Sequence, residues 1–422
     1  MKKYIAKNMY SEVMIWRMGM NFAERAFRYL FRKKGKAIIL FWVLLITETM
    51  ILSTVTILRA SEVARIELLG KSKAKLLIER EKAEIAAKNW GIGKIDTDYR
   101  ELLKDPEIDV VHICTPHYLH AQMAIDALHA GKHVLSEKPM ALSVKDAEEM
   151  IRARDDSGKQ LGVCFQNRYN EASVYMKQLI ESGKLGQVIG AKGSVTWDRK
   201  PPYYAESPWR GRWATEGGGV LINQAIHTLD LLQWLCGMPV KVRAFCHEGK
   251  WHDIEVEDDV TAYMEFENGA TGVFVTTTAD APGTNRLELT FEMGKIVCEE
   301  GRLFFDKLST NVSDFCKTEK EGFKKPEYSR IEIETDGQNE QHIGVLKAFA
   351  GHILRGTPLV AEGTEGIRGL TLSNAMHLSS WLDRTVELPL DEELFLRELN
   401  KKRATSRKKE DTDIVFDTTG TY

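Results

Sequence analysis

The stretch DVVHICTPHYLHAQMAIDALHAGKHVLSEKPMAL, residues 109–142, decides the fold. The run IDVVHIC (108–114) is apolar and of strand length. LHAQMAIDALHA (119–130) spaces its apolar residues as a helix does, and Gly131 stops it. KHVLSEKP (132–139) reads as the next strand and its mouth. Ser143, with Asp146 three residues on, caps a helix from about Val144, and KQLGVCF (159–165) resumes the sheet. Upstream, EREKAEIAAKNW (79–90) and DYRELLKD (98–105) read as helices. Strands that alternate with helices build a parallel sheet, because each parallel return needs a crossover.

Beyond Asn170 the pattern changes. One helix and a glycine-rich loop lead into the helix LINQAIHTLDLLQWL (221–235). Then VTAYMEFENGATGVFVTTT (260–278) and RLELTFEMGKIVCEE (286–300) alternate apolar with polar residues, as strands of an open, largely antiparallel sheet do. Helices over about 341–355 and 363–383 follow. The last stretch, 391–422, is a polar tail, of which ELNKKRATSRKKEDTDIVFDTTGTY (398–422) mixes charges without apolar periodicity and is expected to be mostly disordered.

With 422 residues, the chain has room for about three domains or two large ones. Its 43% hydrophobic and 28% charged residues exclude a disordered, collagen-like or small disulfide-framework protein. Lys plus Arg number 58 against 61 Asp plus Glu, so a net charge of -3 gives no reason to expect nucleic acid, and a small molecule is the expected partner. Cys114, Cys164, Cys236, Cys246, Cys298 and Cys316 lie far apart without a CxxC pair, which places the folded part in a reducing, cytoplasmic setting.

Residues 1–77 do not match the rest. AIILFWVLLITETMILSTVTIL (37–58) is long enough to cross a bilayer and follows Arg25, Arg28, Arg32, Lys33, Lys34 and Lys36, the pattern of a signal anchor with a cytoplasmic catalytic part. Against it stand Glu48 near the middle and Thr47, Thr49, Ser53, Thr54 and Thr56. The alternative is a buried helix or strand pair. A cleaved signal is disfavoured, since the apolar core begins far from Met1 and no small-x-small site follows it closely.

In a doubly wound sheet ligands bind beyond the carboxyl ends of the strands, and here those ends present Thr115-Pro116-His117 and Glu137-Lys138-Pro139. Alone, Lys138 would read as an exposed or salt-bridged lysine. Downstream, GRWATEGGGVLINQAIHTLD (211–230) sets Gly217, Gly218 and Gly219 at a turn into a helix whose one face carries Asn223, His227 and Asp230. A lone helical histidine is usually a satisfied core residue. His227, between an amide and a carboxylate, could instead be an oriented acid–base group, as alcohol oxidation requires. CHEGKWHD (246–253) is a weak metal-cluster candidate in a hairpin-like region, and no metal site is expected. His112 alternates along a strand, whereas His117 and His120 enter the loop beside the ligand edge.

These residues resemble the Gfo/Idh/MocA oxidoreductases over about 78–390: residues 109–142 look like that family's cofactor segment, and GVCFQNRYN (162–170) and GGGVLINQAIHTLD (217–230) like its substrate-domain signatures. The resemblance implies a Rossmann-like NAD(P)-binding domain, 78–165, here incomplete, followed by an α/β substrate and oligomerisation domain, 166–390, with a large open, mainly antiparallel sheet. It implies hydride transfer between NAD or NADP and a carbinol of a sugar or polyol, in a homo-oligomer joined through the second sheet. Lys138 becomes the lysine that binds the reacting hydroxyl and His227 the general acid–base; Thr115, Pro116, His120 and Glu137 would line the nicotinamide side. Asn223 stands where many members carry an aspartate, so a carboxylate there cannot assist the proton, though the amide can still bond a substrate hydroxyl. Arg168, with Trp209, Arg210, Arg212 and Trp213, would bind the cofactor amide or the substrate, with Asp230 beside them; arginines packed on tryptophans as structure is the equal alternative.

One departure opposes this reading. A dinucleotide pyrophosphate needs small residues at a helix N-terminus, and no GxGxxG precedes Ile78: Gly19, Gly35 and Gly70 are isolated, and Gly91-Ile92-Gly93 follows a helix. The ribose-binding acid would fall near Leu77, with Glu79 displaced. An abrupt start of the likeness at about Ile78 is expected if a reading-frame shift or recombined 5′ end replaced the first two strands. The competing function is therefore a redox-inactive binding or scaffold homologue.

Overall fold

The structure, a computed structural model, describes residues 38–39, 95–96 and 98–407, except 206, 336 and 338. Two sheets organise them. The first is parallel, in the order β1 (Ile38–Ile39), β2 (Ile108–Ile113), β3 (His133–Ser136) and β4 (Leu161–Val163). Between strands run α1 (Tyr99–Leu103), α2 (His120–His129) and α3 (Val144–Ser157), at the places read from the sequence. Their ends have local causes: Asp98 caps α1, Ser143 Oγ accepts from the Asp146 amide 3.1 Å away, and Gly131, at φ 77°, takes the left-handed turn after α2. Of the apolar stretch 37–58, the strand Ile38–Ile39 pairs parallel with β2; the rest, the helix read at 79–90 and Gly91-Ile92-Gly93 lie outside the described residues. Among the described residues no helix is long and apolar enough to cross a membrane.

The second sheet has nine strands in the order β12-β11-β10-β9-β5-β8-β7-β6-β13. They are β5 (Val188–Asp198), β6 (Lys241–Glu248), β7 (Glu257–Glu265), β8 (Thr271–Thr277), β9 (Ala279–Phe291), β10 (Gly294–Glu299), β11 (Arg302–Leu308), β12 (Tyr328–Ile333) and β13 (Val386–Glu387). Only β5 and β8 pair parallel. One face buries Val242, Ala244, Val260, Ala262, Met264 and Phe274 under α4 (Glu171–Glu181), α5 (Ile226–Cys236) and the C-terminal helices. The other leaves Phe245, Tyr263 and Val273 exposed, the period of two expected of a one-sided sheet.

Two expectations need correction. The C-terminal helices α6 (Gln341–Arg355) and α7 (Gly363–Leu382) are not confined to the second sheet: Val345 and Phe349 of α6 bury Leu135 and Cys164 of the first, and α7 serves both, with Leu370 in the first core and Ala375, Met376 and Leu378 in the second. The polar tail also begins inside an ordered helix, because Asp391 caps α8 (Glu392–Ala404) and its Phe395 and Leu399 are buried in the core beside Trp381. Residues 408–422 lie outside the described ones.

Candidate active site

The carboxyl ends of β2, β3 and β4 meet the glycine turn before α5. Lys138 donates from Nζ to the backbone carbonyl of Asn223 at 2.8 Å, joining two segments 85 residues apart. Burial draws the lysine's pKa down, while Glu137 opposes and Arg210 adds to the fall. His227 lies close enough to Lys138 for the ammonium to disfavour its own proton; burial first and that cation second hold the imidazole well below its usual range, hence neutral at physiological pH. The Gln166 amide is 3.3 Å from His227 Nε2. An amide nitrogen only donates, so His227 Nε2 is the nitrogen that accepts from Gln166 Nε2–H, while Nδ1 is buried without a hydrogen-bond partner among the described residues.

The turn itself explains its glycines. A Cβ on Gly219 would stand 2.0 Å from the Glu257 carbonyl oxygen, so only glycine admits that approach. The Glu257 carboxylate accepts from the amides of Gly219 (2.8 Å) and Leu221 (2.9 Å), with His377 Nε2 2.9 Å away. The helix expected from Leu221 begins only at Ile226, so Asn223 sits in the turn and does not share a helix face with His227 and Asp230.

Several expected site residues have other duties. Arg168 is buried, with Nε and one terminal nitrogen on Asp230 at 2.8 and 2.7 Å and the other on the Val360 carbonyl and Glu365. It also lies against Trp234. Arg168 and Asp230 are thus committed to each other as a buried ion pair. His120 is likewise fully buried, its ring nitrogens 2.7 Å from the carbonyls of Thr115 and Pro139, where it links the two strand mouths. Trp213 packs in an aromatic cluster with His377 and Trp381. Arg210 lies over Tyr203 at 4.3 Å and Trp209 at 5.0 Å, and Arg212 keeps a buried Nε without a partner among the described residues.

Glu137 is flanked by His112 and His342 at 3.9 and 3.8 Å; burial raises its pKa, but the two histidines and Lys138 outweigh that and the net direction is down. Two donor triads, His112–Cys114–Glu137 and Glu137–Cys164–His342, share this carboxylate, while burial pushes both thiols well up. In CHEGKWHD, His252 is engaged by Asp258 and the Arg199 carbonyl. Sequence reading passed over Glu216 entirely. It is 1% exposed, accepts from the Gly211 amide at 2.5 Å and from Asn223 Nδ2 at 2.7 Å, and burial pushes it up to about 7. A carboxyl group therefore does stand beside Asn223.

The nicotinamide end of a dinucleotide fits this edge, where Thr115 Oγ1 and His112 Nε2 are buried without hydrogen-bond partners among the described residues. Residues 67–165 match the model of an oxidoreductase family with an NAD-binding Rossmann fold, and 173–297 that of the GFO/IDH/MocA C-terminal domain. The match thus begins somewhat before Ile78. A levoglucosan dehydrogenase of Pseudarthrobacter phenanthrenivorans is 31% identical over 50% of this chain and 60% of its own length. A 1,5-anhydro-D-fructose reductase of Ensifer adhaerens is 31% identical over 56% of this chain and 71% of its own. The WlbA dehydrogenase of Bordetella pertussis, solved with NADH and UDP-GlcNAcA, superposes with a TM-score of 0.62 at 28% identity, covering 74% of this chain and 89% of that one. Motifs, sheet order and these likenesses agree, and the chain belongs to the Gfo/Idh/MocA family of oxidoreductases.

Proposed function

We propose that the chain is an NAD(P)-dependent dehydrogenase acting on a carbinol of a sugar or polyol. The observation that carries this is the meeting of Lys138 with Asn223, 85 residues on, and with the neighbouring His227, at the carboxyl edge of the first sheet. The Lys138 ammonium faces an oxygen that becomes an alkoxide as hydride leaves its carbon, and lowers the cost of that charge. His227, held neutral, takes the hydroxyl proton and returns it in the reverse direction. Thr115, Pro116 and Glu137 would hold the nicotinamide side; bound there, the dinucleotide supplies the hydride acceptor. Relatives named for levoglucosan, 1,5-anhydro-D-fructose and myo-inositol support a polyhydroxylated ring as substrate.

The test is absorbance of reduced nicotinamide when the full chain meets NAD or NADP with levoglucosan or myo-inositol, or NADH or NADPH with 1,5-anhydro-D-fructose. Turnover is expected with at least one pair. Sugar binding without turnover or dinucleotide binding would favour the redox-inactive homologue, which the missing GxGxxG before Ile78 supports. Lys192, Tyr263 and Val273, exposed side by side on adjacent strands, support a homo-oligomer joined through the second sheet. Six unpaired cysteines support a reducing, cytoplasmic location.

A further inference from the structure

An amide that faces a carboxylate must present its N–H groups, because the carboxylate only accepts. Asn223 meets Glu216 Oε1 at 2.7 Å, and the Tyr203 hydroxyl, 3.3 Å from the same Nδ2, also receives Gln224 Nε2 at 3.0 Å. Its Nδ2 is thus committed, and Oδ1 is the atom that remains. Glu216 in turn is fixed on two further sides: its other oxygen takes the Gly211 amide at 2.5 Å, and its backbone carbonyl lies 3.1 Å from His117 Nδ1. Nothing in the reading of the sequence gives this carboxyl a task, yet it stands one side chain from the group that binds the substrate hydroxyl.

We propose that Glu216 is a positioning residue for the reacting alcohol, holding Asn223 by Nδ2 so that Oδ1 accepts from the substrate hydroxyl. A carboxyl–amide pair thereby does the work of a single carboxylate at position 223. This rests on the dehydrogenase reading. The state of the pair depends on the proton of Glu216. Ionised, it fixes the amide as described; protonated, its O–H can donate to Oδ1, and the amide turns its N–H groups to the substrate instead. The charged groups that face Glu216 are Arg210, which favours the anion, and Glu257, which disfavours it, with Lys138 across the Asn223 backbone. Burial outweighs the favourable contacts and places the change of state at about pH 7.

Two readouts test this on the full chain. Asparagine-selective 15N labelling, with the Asn223 side-chain signal assigned by its loss in N223D, reports the contact without any substrate. The signal is expected to move as pH passes through about 7 in the wild type and to stop moving in Glu216→Gln. A signal indifferent to both overturns the proposal. The second readout is steady-state kinetics with NAD and levoglucosan or myo-inositol, whichever the wild type turns over. E216Q, isosteric and checked for folding by its melting curve, is expected to raise KM about tenfold with a smaller change in kcat. The double variant E216Q/N223D, in which the new amide at position 216 donates to a carboxylate at 223, is expected to recover most of it. Wild-type KM in E216Q, or no recovery in the double variant, overturns the role in positioning. Absence of wild-type turnover sinks the dehydrogenase reading and the alcohol with it, while the labelled signal still decides whether Glu216 orients the amide.

Discussion

In the proposed reaction Lys138 and His227 carry different halves, so removing either should be felt in turnover. Lys138→Ala and His227→Ala are each expected to lower kcat by about two to four orders of magnitude. Near-wild-type kcat in a variant would remove that residue from the mechanism. Glu216 should show in stability as well. Its carboxyl is raised from an ordinary 4.5 to about 7 in the folded chain. The folded state therefore holds a proton that the unfolded state has lost across that interval, and stability declines as pH rises from 4.5 toward 7, then levels off. The decline amounts to about 3 kcal/mol at most. Denaturant midpoints of E216Q between about pH 5 and 7 should lack that component; an unchanged slope would show that Glu216 is not the group responsible.

At the scale of elements, the helix of the polar C-terminal stretch invites the sharpest test. Phe395 of α8 is 1% exposed and stacks on Trp381 with centroids 5.6 Å apart, so Phe395→Ala should cost about 3–5 kcal/mol by thermal or denaturant melting. A loss below about 1 kcal/mol would mean that α8 is not docked in solution. The sequence shows why this helix escaped notice: its periodic part, Leu394, Phe395 and Leu399, lies at the front of the stretch, and the charges behind it dominate the composition. Elements with period and caps together were legible. Ser143 marked the start of α3, and the strand mouths at Thr115 and Lys138 were placed correctly because apolar runs and glycine stops agree there. Side-chain partners were less legible. Arg168 and Asp230 looked available because sequence shows charge but not that 62 residues of chain fold back to pair them. Glu216 carried no signal in the sequence because only the Gly211 amide and Asn223, brought near by the turn, reveal that it is buried.

For the whole molecule, the face of the nine-stranded sheet left uncovered among the described residues is the feature with a consequence in solution. A sheet with Phe245 52% and Tyr263 40% exposed is expected to pair with a second copy, and light scattering at micromolar concentration should give a mass above that of one chain. A monomer would refute this. Cofactor affinity is also a property of the whole chain. The glycine-rich phosphate loop is missing from the sequence before Ile78, so calorimetry should find NAD and NADP bound weakly, and more tightly by a version whose first 77 residues are replaced with a glycine-rich βαβ half. Equal, tight binding by the unaltered chain would mean that residues 1–77 build a phosphate site of another kind. The return of α6 and of the start of α7 to the first sheet bears on synthesis. Leu135 and Cys164 are covered by Val345 and Phe349, Arg168 needs the Val360 carbonyl, and Gly162 pairs with Glu362. A ribosome adding about 5–20 residues per second reaches those partners roughly ten seconds or more after the first sheet has emerged. During that interval the sheet's apolar face is open, so the nascent chain should depend on holding chaperones until its C-terminal helices are released, and a stop codon anywhere before α6 should yield an insoluble product instead of a working half.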